Sequence, residues 1–113
     1  MHELAVANGI KEIALSVVKE HGKHRVSAIN LAIGALTCVD EQALRFVIGP
    51  VLKGTAAEEA EINIEIIEPV AECRSCGNRF DAEGYATGCP LCGEHGAEII
   101  HGRELHVKSI EAE

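Results

Sequence analysis

Four of the five cysteines fall into two Cys-x-x-Cys-Gly units, Cys73-Arg74-Ser75-Cys76-Gly77 and Cys89-Pro90-Leu91-Cys92-Gly93, with twelve residues between Cys76 and Cys89. A two-residue gap lets both thiolates of a unit face one ion from a tight turn. The glycine that follows can take positive φ and leave backbone N–H groups pointing at the sulfurs. Two such units supply a tetrahedral set of four sulfurs, the usual closed structural zinc site. Iron could sit on the same sulfurs, because ligand softness and geometry do not separate the two metals. Two disulfides or a dithiol redox centre are the competing chemistries. Disulfides belong to oxidising compartments. A redox Cys-x-x-Cys normally opens a helix in a strand–helix–strand unit, which the surroundings of these pairs do not resemble.

The second chemical feature is the start, Met1-His2-Glu3. Initiator methionine is usually removed only before a small residue, so His2 is expected to leave Met1 in place. The Met1 amine, the His2 amide nitrogen and the His2 imidazole can then close fused chelate rings around one ion, with the Glu3 amide or carboxylate in the remaining position. Ni²⁺ and Cu²⁺ suit such a tetragonal field, whereas Zn²⁺ gains less from it. Taken alone, a histidine at position two is a weak signal, and a solvated terminus is the bland reading.

The remaining candidates carry less. Cys38 lies between a strand and a helix and reads as a small buried hydrophobe. His21 sits where a helix ends and suits the negative dipole there. His24 reads as solvated, and His106 as lying on the polar face of its strand. His95 and His101 flank the end of the cysteine-rich segment; both read first as solvated and second as reserves for an ion held near the chain start.

With 113 residues, 10 Lys+Arg against 18 Asp+Glu, and a formal charge of -8, the chain has room for one compact domain and the wrong sign for a phosphate-binding surface. Four thiolates and one Zn²⁺ would add -2, taking -8 to -10. Within the cysteine-rich segment Arg74 and Arg79 are offset by Asp81, Glu83 and Glu94. Phe80 and Tyr85 are too few for a base-stacking platform and are expected to pack the segment's interior. A zinc-ribbon adaptor for nucleic acid or protein and a dithiol redox protein therefore remain as rival classes, and no nucleic-acid partner is expected. No apolar run reaches the length of about 18 residues that a membrane span needs. Glu3, Lys11 and Glu12 interrupt any signal-like apolar region, so a cytoplasmic protein is expected.

These groups need a scaffold. Val6, Ile10, Ile13 and Val17 follow the helical period, predicting a helix from Leu4 to Glu20 that stops at His21-Gly22. Val26 to Leu36 reads as a strand. Asp40 reads as the N-cap of a second helix carrying Leu44, Val47, Ile48, Val51 and Leu52, with a bend or early end at Pro50 and Gly54 closing it. Ile62, Ile64 and Ile66 alternate with Asn63 and Glu65 as a second strand, and strand–helix–strand order suggests a parallel crossover. Glu104 to Ile110 reads as a last strand that rejoins the sheet. The expected fold is α+β: a small mixed three-stranded sheet with two helices on one face, plus an inserted four-cysteine zinc ribbon. Residues 1–68 and 102–113 form the first domain and 69–101 the ribbon. With three aromatic residues, the core must be aliphatic.

Met1-His2-Glu3 opening a helix, Ile29 to Leu36 with Ile33-Gly34, the two cysteine units, and Gly102-Arg103-Glu104-Leu105 leading into Ser109-Ile110-Glu111 occur in the order of the HypA/HybF family. The chain resembles that family, nickel-delivery proteins for [NiFe]-hydrogenase maturation, over nearly its whole length. The resemblance implies nickel at His2 with Met1 and Glu3 supporting, and zinc at Cys73, Cys76, Cys89 and Cys92. It also implies a GTPase partner of the HypB type and a hydrogenase large subunit as recipient; some relatives also serve urease. A homodimer is left open. No nucleophile–base pair is visible, so no enzyme is expected.

Overall fold

The structure, a computed structural model, describes residues 2–82 and 88–113. In chain order it contains α1 (His2–Glu20), β1 (Val26–Gly34), α2 (Glu41–Leu52), β2 (Glu61–Ile67), β3 (Val70–Glu72), β4 (Arg79–Asp81), β5 (Glu98–His101) and β6 (Leu105–Ala112). The strands form two three-stranded sheets, ordered β2-β1-β6 and β4-β3-β5. Contacts divide the chain into two units, Met1–Ala32 with Val39–Glu65 and His106–Glu113, and Ile33–Cys38 with Ile66–Leu105.

The first unit is a helical layer on a mixed sheet. Arg25 and Glu113 exchange backbone hydrogen bonds of 3.1 and 2.8 Å, while Gly34 N–H donates to Glu104 O, so β6 runs antiparallel to β1. On the other edge, Asn30 bonds Asn63 and Ala35 bonds Ile67, an increasing register that makes β2 parallel to β1. The helix between them is the crossover that parallel strands require. Being central, β1 is buried almost throughout, with Asn30 and Ser27 half-buried. The two helices pack on each other and lie on one face of the sheet. Ala7, Ile10 and Ala14 of α1 and Leu44, Ile48 and Leu52 of α2 are buried at helical spacing. The buried core of the described residues holds no aromatic residue; Phe46 is 82% exposed. Polar side chains also link the strands: Asn63 Nδ2 donates to Asn30, whose own amide reaches Ser109 and Glu111, and Lys108 pairs with Glu65.

α1 begins two residues before the predicted Leu4, which places His2 and Glu3 in its first turn. Asp40 is the N-cap of α2, accepting from Ala43 N at 3.0 Å. Pro50 does not stop α2, which continues to Leu52. Proline this near the C-terminus removes one hydrogen bond, whereas ending there would unseat Leu52, which is 2% exposed. β1 ends at Gly34 rather than Leu36, because the chain turns there and Thr37 N–H donates back to Gly34 O at 3.1 Å.

The second unit holds the cysteines. β3 pairs antiparallel with both β4 and β5, and Ala71, Ala82 and Ala97 form a small core against which Phe80 and Ile99 pack. Phe80 thus fills the ribbon interior as expected; Tyr85 lies outside the described residues. Gly34 and Gly102 cross closely: a Cβ on Gly34 would stand 2.0 Å from Gly102 O, and Leu36 N–H donates to that same oxygen at 2.8 Å.

Candidate metal centres

The two Cys-x-x-Cys-Gly units fold into matching turns. Cys73 N–H donates to Asn78 O at 2.8 Å and Gly77 N–H to Cys73 O at 2.9 Å. Cys89 N–H donates to Glu94 O at 2.9 Å and Gly93 N–H to Cys89 O at 2.8 Å. Both closures need a residue with positive φ after the second cysteine, and Gly77 (76°) and Gly93 (80°) supply it. Residues 73–76 follow β3 directly, and Arg79 opens β4, so the pairing of Glu72 with Arg79 fixes the first turn.

The four Sγ atoms lie within 4.8 Å of one another, with Cys73–Cys92 at 3.4 Å and Cys76–Cys89 at 3.7 Å. A tetrahedral ion with Zn–S of about 2.3 Å separates its sulfurs by about 3.8 Å. A disulfide needs about 2.05 Å. The arrangement therefore fits one ion, and all four cysteines are free thiols. Cys73 and Cys89 are buried; Cys76 and Cys92 are exposed.

Electrostatics separates the sulfurs into two classes. The Cys76 backbone N–H, against burial and helped by the Ser75 N–H, holds the Cys73 thiol below its usual range. Burial pushes Cys89 up, but the N–H groups of Cys92 and Leu91 and the Asn78 amide bring it down to about 6. On Cys76 the Asn78 backbone N–H acts downward and is overridden by burial and by Cys73 and Cys89, so the thiol is raised. On Cys92 the Glu94 N–H acts downward, and Cys73, burial, Cys76 and Cys89 push the thiol up to about 12. The Cys73 and Cys89 thiols are thus lowered and the Cys76 and Cys92 thiols raised. A divalent cation among them removes that conflict, because its charge favours all four thiolates.

At the other candidate centre, His2 Nε2 stands 3.6 Å from Glu3 Oε2, and the His2 side chain is 54% exposed. The Glu3 carboxylate accepts a hydrogen bond from Asp40 N at 3.2 Å. That bond is the chief reason its carboxyl lies below the usual carboxylate range. Met1 lies outside the described residues. The first N–H groups of an α-helix have no acceptor within the helix.

Cys38 is exposed rather than buried: its φ of 64° turns the chain between β1 and α2 and leaves the side chain outside the core. His21, His24 and His106 are exposed. His95 is exposed and packs by Gly88, where a Cβ would meet its Nδ1 at 3.2 Å. His101 Nδ1 lies 3.2 Å from Glu104 Oε2, while Glu104 Oε1 accepts from Gly102 N at 2.7 Å. These bonds, led by the backbone contacts, hold the Glu104 carboxyl low. Sequence reasoning missed Glu104 as the clamp of this turn and Asn78 as a neighbour of the sulfurs. The Gly102-Arg103-Glu104 run was visible, but the sequence does not say that the Glu104 side chain folds back on Gly102 N–H and His101.

Comparison with known proteins fits this geometry. The family described as "Hydrogenase/urease nickel incorporation, metallochaperone, hypA" matches residues 1–112. Hydrogenase maturation factor HypA of Geobacter metallireducens is 37% identical over 113 residues, and that of Prosthecochloris aestuarii 35% over 115, with each whole chain covered in both comparisons. Among solved structures, the Ni metallochaperone HypA from Helicobacter pylori superposes with a TM-score of 0.70 at 19% identity, covering 99% of this chain and 97% of its own. A second HypA solution structure gives 0.79 at 20% identity, covering 99% and 96%. Those two likenesses establish the fold, two helices with two three-stranded sheets. With a family match over almost every residue and relatives above 30% identity across their full length, the chain belongs to the HypA family of hydrogenase and urease nickel-incorporation metallochaperones.

Proposed function

We propose that this protein carries Ni²⁺ on nitrogen donors of Met1 and His2, with Glu3 in support, and delivers it during [NiFe]-hydrogenase maturation. Zinc held by Cys73, Cys76, Cys89 and Cys92 stiffens the ribbon, residues 69–101, and takes no part in transport. The observation that carries the reading is the exposed His2 in the first turn of α1, in a chain of this family whose Met1-His2-Glu3 start is intact.

The physics of a helix start supports an exchangeable site. His2 N–H has no intrahelical acceptor, so a metal that displaces its proton breaks no helical hydrogen bond. The positive end of the helix dipole opposes a bare cation, but an ionised amide and the Glu3 carboxylate offset it. The result is a site that binds at neutral pH and gives way when protons return to the nitrogens. Four thiolates drawn from two turns hold their ion more tightly, so acid reaches the nitrogen site first. Among the described residues no helix is long and apolar enough to cross a membrane. We place the protein in the cytoplasm, with a HypB-type GTPase and a hydrogenase large subunit as partners, urease maturation proteins as a second route, a homodimer as an open arrangement, and no catalytic role.

The test is nickel titration of untagged protein against two variants, one extended before Met1 and one carrying His2→Ala. Each is expected to lose the single high-affinity equivalent while keeping its zinc and its circular dichroism. Unchanged nickel affinity in both would move the site away from the N-terminus. Nucleic-acid binding with a steep inverse salt dependence would instead revive the adaptor reading.

A further inference from the structure

Three contacts converge on one residue beside the cysteine cluster. Asn78 O accepts from Cys73 N–H at 2.8 Å. Its backbone N–H faces the Cys76 sulfur. Its side-chain Nδ2 donates to Cys89 Sγ at 3.7 Å, across to the other turn. The first two contacts come from the backbone and recur in the second turn, where Glu94 O accepts from Cys89 N–H and the Glu94 N–H faces Cys92. The third has no counterpart, because a glutamate carboxylate has no proton to donate. The two turns thus share a backbone and differ in one amide.

We propose that Asn78 is a positioning residue of the metal centre: its carboxamide ties the Cys89 sulfur to the first turn and fixes the two cysteine pairs against each other around one ion. The side chain is held where it can do this. Asn78 is half-buried and immediately precedes β4, whose register on β3 pairs Arg79 with Glu72. An N–H···S bond draws electron density from the thiolate, lowering its energy without adding a ligand. Outer-shell partners of this kind orient the ligand and tune the metal. Cys89, which also takes the Leu91 N–H at 3.4 Å, becomes the most anchored of the four sulfurs. Cys76 and Cys92 are exposed, and become the ones an incoming reagent reaches first.

The inference rests on the four cysteines binding a tetrahedral ion, and the test separates the two claims. Co²⁺ substituted for zinc in the full chain reports sulfur-to-metal charge transfer, a signature of the sulfurs and not of fold. The unsubstituted protein is expected to show tetrathiolate bands; their absence would sink the cysteine-centre reading and this inference with it. Given those bands, Asn78→Ala is expected to shift charge transfer to lower energy, as Cys89 loses its donor. Competition by a chelator should show zinc affinity down by about tenfold or more. Asn78→Asp, isosteric but lacking the donor, should shift the bands further in the same direction. Arg74→Ala, in the same turn, should leave both readouts unchanged. Bands and affinity in Asn78→Ala and Asn78→Asp equal to those of the unsubstituted protein would overturn the role of Asn78 while leaving the cysteine centre standing. Folding is monitored by far-ultraviolet circular dichroism, and should one variant fail to fold, the other carries the test.

Discussion

Glu3 Oε2 accepts the backbone N–H of Asp40 at 3.2 Å, so the carboxylate of the N-terminal motif is fastened to the N-cap of α2. One residue thereby joins the starts of both helices, 37 positions apart in sequence. The carboxylate is already engaged through one oxygen, which fits a supporting part at the metal rather than a dominant one.

The first prediction concerns that bond. Glu3→Ala removes the acceptor and frees the first turn of α1, and nickel affinity should fall several-fold while zinc content stays at one equivalent. Glu3→Gln keeps an acceptor oxygen and should retain more of the affinity. Isothermal titration of the three proteins decides it: equal losses in both variants would point to the charge of Glu3, and no loss in either would detach it from the site.

The second prediction concerns the cysteine centre. Structural zinc contributes about 10–16 kcal/mol of apparent binding free energy in small zinc modules. Against that, the ribbon's own core is three alanines with Phe80 and Ile99. Cys76→Ser should therefore unfold the ribbon, with proteolysis entering within residues 69–101. The α1, α2 and β1 core, with Ile29, Leu44 and Val26 each no more than 1% exposed, should survive as a protected fragment. A zinc-free Cys76→Ser protein with a protease-resistant ribbon would count against a structural metal.

Legibility in the sequence followed the range of the interaction. Asp40 was readable as an N-cap because capping acts over three residues, from Asp40 to Ala43. The four cysteines were readable because two turns impose their own spacing. Strand pairing across the first sheet followed from alternation in Ile62–Ile66 and the need of α1 for a surface. Glu3–Asp40 and Asn78–Cys89 were not readable, since each joins residues whose proximity only the folded chain creates. β3, β4 and β5 span three or four residues each, too short for a period to show. Of the bend or early end expected at Pro50, the early end does not occur: the helix runs on to Leu52, whose side chain is buried. Cys38 misled because a small apolar side chain says nothing of the backbone turn that carries it outward.

The third prediction tests the crossing of Gly34 and Gly102. A methyl on Gly34 would meet Gly102 O, Gly102 C and Arg103 N, all backbone atoms within 2.6 Å. No rotamer change relieves a backbone clash, so the strand end or the 101–104 turn must move, breaking the Leu36–Gly102 and Gly34–Glu104 hydrogen bonds. Gly34→Ala should cost about 3 kcal/mol, read as a lower denaturation midpoint. Gly49→Ala, in α2 with nothing within 4 Å of its added carbon, should be neutral or slightly stabilising by comparison. Equal midpoints for the two variants would refute the close crossing.

The last prediction is that acid releases nickel before it disturbs either the fold or the zinc. Protons compete for the Met1 amine, the His2 amide nitrogen and the imidazole, and each of those donors binds metal only without its proton. Glu3 and Glu104 have folded-state carboxyls lowered below the ordinary value, by the Asp40 N–H first in one case and by the backbone N–H groups of Glu104 and Gly102 in the other. A lowered carboxyl contributes stability that is full above its unfolded value and is lost only as pH falls through the folded one. Both anchors therefore persist below pH 4.5, so descent from pH 7.5 to pH 5 leaves the Glu3–Asp40 bond and the 101–104 turn in place. At the ribbon, Cys89 is already drawn to about 6 without an ion, and a divalent cation lowers the sulfurs further. Dialysis at stepped pH, with metal analysis and circular dichroism at each step, should show nickel leaving first, zinc remaining at one equivalent, and the spectrum unchanged. Zinc leaving together with nickel, or a spectral change that coincides with nickel loss, would mean that release runs through unfolding rather than through protons on the nitrogen donors.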